Sequence, residues 1–197
     1  MAAPESTKAE LLSLLRERSV FYGDFKLSSG GRSRYYVDCR LTTLDPRGAW
    51  LVGQVMHRLI REQEAARGVR VAAVGGLTLG ADPVALATGI ASYLHHEAPP
   101  LQVFSVRKAP KEHGQTRRIE GNFHQGDSVV VVDDVVTRGD STLSAIQAVE
   151  NEGGRVAFVA VLVDRQEGGR ERIEQLGHAV CPVFRRDELV NRPAPAA

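Results

Sequence analysis

Four consecutive valines, Val129 to Val132, constrain the fold more than any other stretch of this chain, and they lead directly into Asp133 and Asp134. A run of β-branched residues without polar alternation predicts a strand buried on both faces, as in the middle of a parallel sheet. We expect this strand to stop at the two acids. A polar turn, Thr137 to Ser141, and an apolar pattern at helical spacing from Leu143 onward come next. The stretch therefore predicts an α/β protein in which a central strand, a turn and a helix follow one another.

The polar turn has the composition of a phosphate-binding site. The first N–H groups of a helix have no partner inside the helix, so a bound anion can accept hydrogen bonds from them. Gly139 allows the backbone to approach a ligand closely, and Thr137, Ser141 and Thr142 add hydroxyl donors. Because open α/β sheets bind ligands at the carboxyl ends of their strands, we expect an anion site here.

The two adjacent acids need a separate explanation, because alone they would repel a phosphate. They suit a ligand that also carries hydroxyls, such as the two of a ribose, or a magnesium ion held with it. The alternative is that Asp133 and Asp134 only end the strand and cap the turn. For a pair of acids at this position we favour a functional role.

The order of residues from Val129 to Leu143 resembles the phosphoribosyl-pyrophosphate (PRPP) motif of type I phosphoribosyltransferases. That motif has four apolar residues, two acids, two small or apolar residues, Thr, any residue, Gly, any residue, and Ser or Thr. The resemblance implies the type I phosphoribosyltransferase fold, a Rossmann-like parallel sheet flanked by helices with a small N-terminal hood. It also implies that PRPP is bound by the acids and the turn: Asp133, Asp134, Val135, Val136, Thr137, Arg138, Gly139, Asp140 and Ser141.

The segment from Phe21 to Arg40 predicts a hairpin outside the main sheet, because short alternating stretches flank a Gly-Gly turn. It is similar to the N-terminal part of orotate phosphoribosyltransferases, in which Phe-x-Leu-x-Ser-Gly precedes Ser, two aromatic residues and Asp-x-Arg. The resemblance implies that Tyr35 or Tyr36 stacks on a planar pyrimidine. Some relatives have Lys where this chain has Ser28, and Lys26 lies on the same face of the strand as a candidate replacement.

A long basic loop begins at Arg107, after a strand predicted at Leu101 to Val106. A run of charges is usually a solvated surface, but beside a PRPP-type turn such a loop can close over the substrate and neutralise pyrophosphate. Arg107-Lys108-x-x-Lys111-x-His113-Gly114 matches the catalytic loop of orotate phosphoribosyltransferases. The resemblance implies that Arg107, Lys108, Lys111 and His113 bind PRPP. It also implies that Lys111 and His113 act in catalysis with the Asp pair, and that residues 107–118 reach the partner's active site in a homodimer.

Arg165 follows a buried strand predicted at Val156 to Val163, so it should lie at the same edge of the sheet. It is either a surface arginine of a loop or a guanidinium that pairs bidentately with a substrate carboxylate. Orotate has a carboxylate, whereas uracil and the purine bases do not. Because the family has an orotate-binding arginine at this point, we expect Arg165, with Thr137, to bind orotate.

A glycine-rich stretch from Gly75 to Pro83 follows a strand predicted at Val69 to Val74. Tight strand-to-helix packing and a loop that meets pyrophosphate explain it equally well on spacing alone, and the resemblance favours the loop. Some relatives have Lys where this chain has Gly80.

Asp45-Pro46 predicts the start of a helix. His57 lies off the apolar stripe of that helix, which predicts a surface position.

The remaining properties describe an ordinary globular chain of 197 residues with a net charge of +1, which does not favour a general polyanion binder. We expect one domain over residues 1–190, with the hood mainly in residues 1–45, and a disordered tail at 191–197. Two cysteines predict free thiols in a cytoplasmic protein. Met1 to Leu12 lacks the pattern of a secretory signal, and the longest apolar run is too short to span a membrane.

The motifs from Phe21 to Gly169 together resemble orotate phosphoribosyltransferases. This implies transfer of the 5-phosphoribosyl group from PRPP to orotate in pyrimidine synthesis, with Mg²⁺ bound through PRPP and Asp133 and Asp134. A phosphoribosyltransferase for uracil or a purine is an alternative, although Arg165 and the basic loop weigh against it. A non-catalytic regulator that binds RNA or DNA is another, although it would not need the loop cations that this chain retains.

Overall fold

The valine run forms the central strand of a six-stranded sheet in the computed structural model, which describes residues 4–26, 32–109 and 117–190. The strands are β1 (Val20–Lys26), β2 (Arg32–Val37), β3 (Ala73–Leu77), β4 (Gln102–Val106), β5 (Ile119–Gly121), β6 (Ser128–Val136), β7 (Arg155–Asp164) and β8 (Val180–Arg185). The helices are α1 (Pro4–Arg18), α2 (Arg40–Thr43), α3 (Pro46–Arg67), α4 (Ala81–Leu94), α5 (Asp140–Asn151), α6 (Gly169–Gln175) and α7 (Arg186–Val190).

The main sheet has the strand order β5-β4-β3-β6-β7-β8, and its strands are parallel except for β5, which pairs antiparallel with β4 at one edge. All four valines are fully buried, and they alternate between two apolar clusters. Val130 and Val132 face the cluster built by α1, α3 and α4, whereas Val129 and Val131 face the one built by α5 and α6. The predicted parallel sheet with helices on both faces is confirmed.

The N-terminal hood is a separate two-stranded antiparallel sheet of β1 and β2. Its base is buried through Val20 and Val37, which pair with each other across the two strands. The rest of both strands is largely exposed. Ser28 and the Gly-Gly turn lie outside the described residues. A small hood outside the main sheet is therefore confirmed.

Three strand boundaries differ from the predictions. β3 begins at Ala73 and not at Val69, because the backbone N–H groups of Val69 and Val71 donate to Glu64 and not to a neighbouring strand. β3 extends through Gly75 and Gly76, which we assigned to a turn, because these glycines pair with Phe104 and Ser105 of β4. A Cβ at Gly76 would lie 2.1 Å from the carbonyl oxygen of Val132, so only glycine allows this approach of neighbouring strands. β6 in turn does not stop at the acids but continues through Val136, paired with β7.

The prediction that His57 lies on the surface is wrong. Its side chain is buried, its Nε2 lies 2.8 Å from Oε1 of Glu97, and its ring stacks on that of His95. The reason is that α4 packs along this side of α3, so the buried face of α3 is wider than its apolar stripe. The predicted start of α3 is confirmed, because Asp45 accepts a hydrogen bond from the backbone N–H of Gly48 at 2.9 Å and Pro46 is the first helical residue.

Within residues 4–26, 32–109 and 117–190, no helix combines the length and the apolar composition that crossing a bilayer requires.

Candidate active site

A cavity of about 610 Å³ opens where β3, β6 and β7 end. The hood, the loop after β3, the start of the basic loop, β6 with the turn after it, and the end of β7 all contribute to its wall. The lining residues are Lys26, Tyr36–Arg40, Leu77–Gly80, Lys108, Asp133–Thr142, Arg165 and Glu167. The cavity thus brings together the whole predicted stretch from the Asp pair through Ser141, and it adds Lys26, Tyr36, Lys108 and Arg165.

Two other predicted residues do not line this cavity, and two more are not described by the structure. Arg107 does not line this cavity, and its guanidinium lies 3.6 Å from a carboxylate oxygen of Glu120. Tyr35 does not line the cavity either, but its ring lies under the guanidinium of Arg165 at 5.5 Å. Lys111 and His113 fall between residues 109 and 117, outside the described residues. Their catalytic roles stay predictions.

The two acids of β6 differ in their surroundings, although the exposed fraction is only 5% for Asp133 and 8% for Asp134. The Asp133 carboxylate accepts hydrogen bonds from Oγ1 of Thr142 at 2.8 Å and from the backbone N–H of Asp134 at 3.1 Å. The Thr142 hydroxyl, which we predicted as a donor to a ligand, donates to Asp133 in this structure. Asp133 is held by α5, which leaves Asp134 as the acid that adjoins the loop after β3.

Burial raises the pKa of Asp133, and the neighbouring charge of Asp134 raises it further. Burial also raises the pKa of Asp134. A group that binds at this pair and carries positive charge or hydroxyl donors would compensate for the cost of keeping both carboxylates ionised. The pair is therefore suited to a cation or to a polyhydroxylated ligand, and not to a bare phosphate.

Gly80 adjoins Asp134 closely. A Cβ at this position would lie 2.5 Å from Oδ1 of Asp134, so a larger residue would require the carboxylate to move. The lysine of some relatives therefore has no simple equivalent at this point of the cavity. Lys26 and Lys108 line other parts of the same wall.

The turn after β6 closes through Gly139, which has a left-handed backbone with φ of +82° and caps α5. Its carbonyl accepts the hydrogen bond from the Leu143 N–H at 2.9 Å, so α5 begins directly at the cavity. Behind the turn, the backbone N–H of Gly169 donates to the carbonyl of Thr137 at 3.0 Å. The turn thus rests on the start of α6 and leaves the free N–H groups of α5 on the cavity side.

Arg165 lies at the carboxyl end of β7 with only 7% of its surface exposed. Nε and Nη2 of its guanidinium lie 3.1 and 2.7 Å from the same carboxylate oxygen of Glu167. The backbone N–H of Arg165 also donates to the carbonyl of Val136 at 2.9 Å, which ties the residue to β6. The guanidinium is held in one place and keeps further N–H donors for a planar anion.

Sequence reasoning missed three residues that line the cavity. Asp38 and Arg40 pair with each other, and Glu167 pairs with Arg165. Nε and Nη2 of Arg40 donate to the two carboxylate oxygens of Asp38, each at 2.8 Å. This pairing lowers the pKa of Asp38 and raises the pKa of Arg40. The Asp-x-Arg at the end of the hood motif was the signal for this pair, but no comparable signal marked Glu167.

Cys39, between Asp38 and Arg40, is almost fully buried, and its burial together with the charge of Asp134 raises the thiol pKa. Both cysteines are free. Cys39 thus contributes a neutral thiol to the wall of the cavity.

Known proteins show the same fold and a similar sequence. Residues 60–177 match the model of the phosphoribosyl transferase domain. The orotate phosphoribosyltransferase of Aquifex aeolicus is 44% identical over 186 residues, which cover 93% of this chain and 97% of that protein. The crystal structure of Mycobacterium tuberculosis H37Rv orotate phosphoribosyltransferase in complex with Fe(III) dicitrate has a TM-score of 0.78 at 43% identity, covering 93% of this chain and 99% of that one. The same enzyme in complex with PRPP has a TM-score of 0.73 at 41% identity, covering 93% and 98%.

Proposed function

The chain belongs to the orotate phosphoribosyltransferase family, and we propose that its 610 Å³ cavity is the site where PRPP and orotate react. As a member of this family it transfers the 5-phosphoribosyl group from PRPP to orotate, giving orotidine 5′-monophosphate and pyrophosphate in pyrimidine biosynthesis. The observation that carries the assignment of the site is that one cavity joins the Asp pair, the phosphate turn and Arg165.

The turn from Thr137 to Ser141 would bind the 5′-phosphate of PRPP through the first N–H groups of α5 and the hydroxyls of the turn. Asp134, and Asp133 behind it, would accept hydrogen bonds from the ribose hydroxyls. The end of β6 and the turn at Gly139 fix the distance between the two acids and the first N–H groups of α5. The ribose hydroxyls and the 5′-phosphate of one PRPP molecule can therefore bind to one continuous segment.

Arg165 would bind the carboxylate of orotate, with Thr137 beside it. Its guanidinium is already oriented by Glu167 on one side and by the ring of Tyr35 on the other. Tyr36 lines the cavity and is 40% exposed, so its ring is available to stack on the pyrimidine. A base without a carboxylate would leave the buried guanidinium with unsatisfied donors, which selects for orotate.

The reaction breaks the bond between the anomeric carbon and the pyrophosphate oxygen and forms a bond from that carbon to a ring nitrogen of orotate. The carbon gains cationic character as the bond breaks, and the pyrophosphate gains negative charge. Positioning and charge stabilisation are enough for such a step, with no covalent bond to the protein. Lys108 lines the cavity, and with Arg107, Lys111 and His113 of the same loop it would neutralise the leaving group.

We also propose that PRPP is bound with Mg²⁺. Among the described residues no cluster of three acids, histidines or cysteines has the arrangement of a protein-only metal site. Two buried carboxylates nevertheless fit a Mg²⁺ ion that is held mainly by substrate phosphates and water. Such an ion would add positive charge to the pyrophosphate group and offset the charge of Asp133 and Asp134.

The proposal of a homodimer is supported by an apolar face on α4. Leu86, Ile90, Tyr93 and Leu94 recur at helical spacing and are between 51% and 69% exposed, and Trp50 on α3 is 50% exposed. Contiguous apolar surface on a globular chain favours burial against another molecule. A second copy of this chain on this face would allow residues 107–118 of one subunit to reach the cavity of the other.

The dimer can be tested by replacing one central residue of that face. Ile90→Asp should convert a dimer into a monomer in light scattering and lower activity. Leu176→Asp, at the residue that follows α6 and is 62% exposed, should leave the dimer intact. A wild-type monomer that is fully active would refute the proposal.

We further propose one domain over residues 1–190, a cytoplasmic location, and no nucleic-acid or membrane partner, consistent with a net charge of +1.

The substrate assignment is tested by release of pyrophosphate from PRPP and Mg²⁺ with one base at a time. Orotate should support turnover, and uracil, adenine, guanine and hypoxanthine should not, because they lack the carboxylate that Arg165 would bind. Turnover with uracil or a purine but not with orotate would refute the assignment. Loss of turnover on chelation of Mg²⁺ with EDTA, and its recovery on adding Mg²⁺, would be the expected control.

A further inference from the structure

Asp140 is an anion inside the turn that would bind a phosphate. It is the first residue of α5, it lines the cavity, and its side chain is 61% exposed. A carboxylate at the N-terminus of a helix is attracted by the same free N–H groups that would bind the 5′-phosphate. Asp140 should therefore oppose PRPP binding unless another group compensates for its charge.

Arg172 on α6 is the group that contacts Asp140 from behind the turn. Its Nη1 lies 2.5 Å from Oδ1 of Asp140 and also donates to the carbonyl of Arg138 at 3.2 Å. The Arg138 side chain is more distant, with Nε 3.6 Å from the other carboxylate oxygen. The hydrogen bond from Arg172 is the main reason why the pKa of Asp140 is lowered. Arg172 therefore joins the charge and the backbone of the turn to α6.

The helix that carries Arg172 is itself fixed against the turn. Ile173, the next residue, is fully buried, and its side chain is among the atoms closest to Gly139. On the other side, a Cβ at Gly169 would lie 2.5 Å from the carbonyl oxygen of Thr137, so the two backbones are in direct contact. Arg172 thus extends from a supported position and can hold Asp140 without moving the turn.

We propose that Arg172 is a positioning residue for PRPP, which neutralises Asp140 and holds it toward α6 so that the turn can accept the 5′-phosphate. The proposal rests on the proposed function, because it assigns the 5′-phosphate to this turn. Arg172 acts through Asp140 and the Arg138 carbonyl and does not itself line the cavity. Its removal leaves the Asp140 carboxylate next to a phosphate dianion, with only the more distant Arg138 side chain to offset its charge.

The test compares the PRPP KM of Arg172→Gln with that of the wild-type dimer. Because the pair is partly exposed and screened by solvent, we expect a rise of roughly threefold to tenfold. The kcat at saturating PRPP and the orotate KM should stay close to wild type, since Arg165 and the basic loop are not altered. Arg170→Gln on the same helix removes a cation that pairs with Glu174 at 2.9 Å, and it should leave the PRPP KM unchanged.

A second variant separates charge compensation from simple support of the fold. Asp140→Asn combined with Arg172→Gln removes both charges and should return the PRPP KM to near the wild-type value. Asp140→Asn alone should lower the PRPP KM, because the anion beside the 5′-phosphate is removed while the positive charge of Arg172 remains behind the turn. A PRPP KM in Arg172→Gln equal to wild type, or one that the double variant fails to restore, would overturn the proposal.

The proposed function and this inference fail in different ways. Calorimetry with PRPP and Mg²⁺ alone measures donor binding without any base present. If wild type binds PRPP but does not turn over orotate, the assignment of the acceptor is wrong while the comparison of variants still tests Arg172. If wild type turns over orotate and the variants bind PRPP equally well, the inference alone is wrong.

Discussion

Arg165 is a buried charge whose surroundings position it for one kind of ligand. Glu167 accepts from two of its nitrogen atoms through a single carboxylate oxygen, and the Tyr35 ring lies 5.5 Å from the guanidinium carbon. Such a guanidinium binds a planar carboxylate by parallel N–H donors, which a lysine cannot imitate. Specificity for the base would then depend on one side chain and on its two supports.

Arg165→Gln should raise the orotate KM by roughly two orders of magnitude, since truncating one partner of a buried charge pair costs about 2 to 5 kcal/mol. The PRPP KM should change little, and Arg165→Lys should not restore orotate binding. Arg155→Gln, at the opposite end of β7, is the matched control. Steady-state kinetics with each substrate varied in turn makes the measurement, and an unchanged orotate KM would exclude Arg165 from carboxylate binding.

Lys111 belongs to the basic loop and lies outside the described residues, so its role is a prediction from the loop pattern. Lys111→Ala should lower kcat by roughly a hundredfold, the usual effect of losing one group that stabilises charge in the transition state, with a much smaller effect on orotate binding. Lys8→Ala on α1 removes the same charge from a residue that does not line the cavity, and it serves as the control. Near-normal turnover by purified Lys111→Ala would remove this lysine from the mechanism.

At the scale of elements, the turn after β6 depends on contact between two backbones. A Cβ at Gly169 would lie 2.5 Å from the carbonyl oxygen of Thr137 and 2.7 Å from the backbone nitrogen of Gly139. Neither atom belongs to a flexible side chain, so an added methyl group would displace the turn or the start of α6. The α6 helix therefore supports the proposed phosphate site, although none of its residues lines the cavity.

Gly169→Ala should raise the PRPP KM and lower the free energy of unfolding by about 1 to 3 kcal/mol, the usual cost of overpacking. Gly168→Ala is a neighbouring control, since its Cβ would meet nothing within 4 Å and the cost there is only that of a left-handed backbone at φ of +87°. Urea denaturation and PRPP titration of both variants give the comparison. A wild-type PRPP KM in Gly169→Ala would show that the turn tolerates the shift.

The elements that sequence reasoning placed correctly are those whose own residues determine them. Val129 to Val132 is apolar on both faces, so it must be buried in the middle of a sheet. Asp45-Pro46 combines a capping residue with proline at the first helical position, which predicts the start of a helix. Gly75 and Gly76 have no such preference, and only the close approach of Phe104 and Val132 explains why they are strand residues. β5 has three residues and no pattern to detect.

At the scale of the whole molecule, the positions of the site residues were predictable but their partners were not. Consecutive parallel strands end at one edge of the sheet, so Asp133, Thr137 and Arg165 had to lie near one another. Pairings such as Arg165 with Glu167, or Arg172 with Asp140, depend on side-chain orientations that no spacing rule contains. His57 was misplaced for a similar reason, because α4 covers a face of α3 that its own residues do not mark as buried.

Where α3 packs against the end of α4, a charged network forms among residues that do not line the cavity. Glu97 accepts hydrogen bonds from Nε of Arg61 at 2.6 Å and from Nε2 of His57 at 2.8 Å, and it also contacts the Ser92 hydroxyl. Burial alone would raise the pKa of Glu97, but the hydrogen bonds outweigh it and lower the pKa from 4.5 to about 2. Burial lowers the pKa of His57 below 6.5 as well.

Both shifts destabilise the folded state in acid. Since the folded pKa of Glu97 lies below its unfolded value, its contribution to stability is complete above pH 4.5 and is lost as the pH falls from 4.5 to about 2. His57 takes up a proton more readily when unfolded, so stability also falls below pH 6.5. The raised pKa values of Asp133 and Asp134 act in the opposite direction, because the folded state retains those protons to higher pH.

Glu97→Gln should therefore lower the free energy of unfolding at pH 7 by about 1 kcal/mol, because partly buried hydrogen bonds to a charged group are lost and solvent screens part of their contribution. Below pH 4.5 the difference from wild type should shrink, because Glu97 then takes up a proton in the unfolded wild-type chain while it stays ionised in the folded protein. Both proteins carry Asp133 and Asp134, so the opposite pH dependence of that pair cancels in the comparison. Glu171→Gln, at an exposed residue of α6, controls for the loss of one negative charge. Urea unfolding at pH 3 to 7 measures the difference, and a gap between the two proteins that stays constant with pH would mean that the charge of Glu97 does not stabilise this contact.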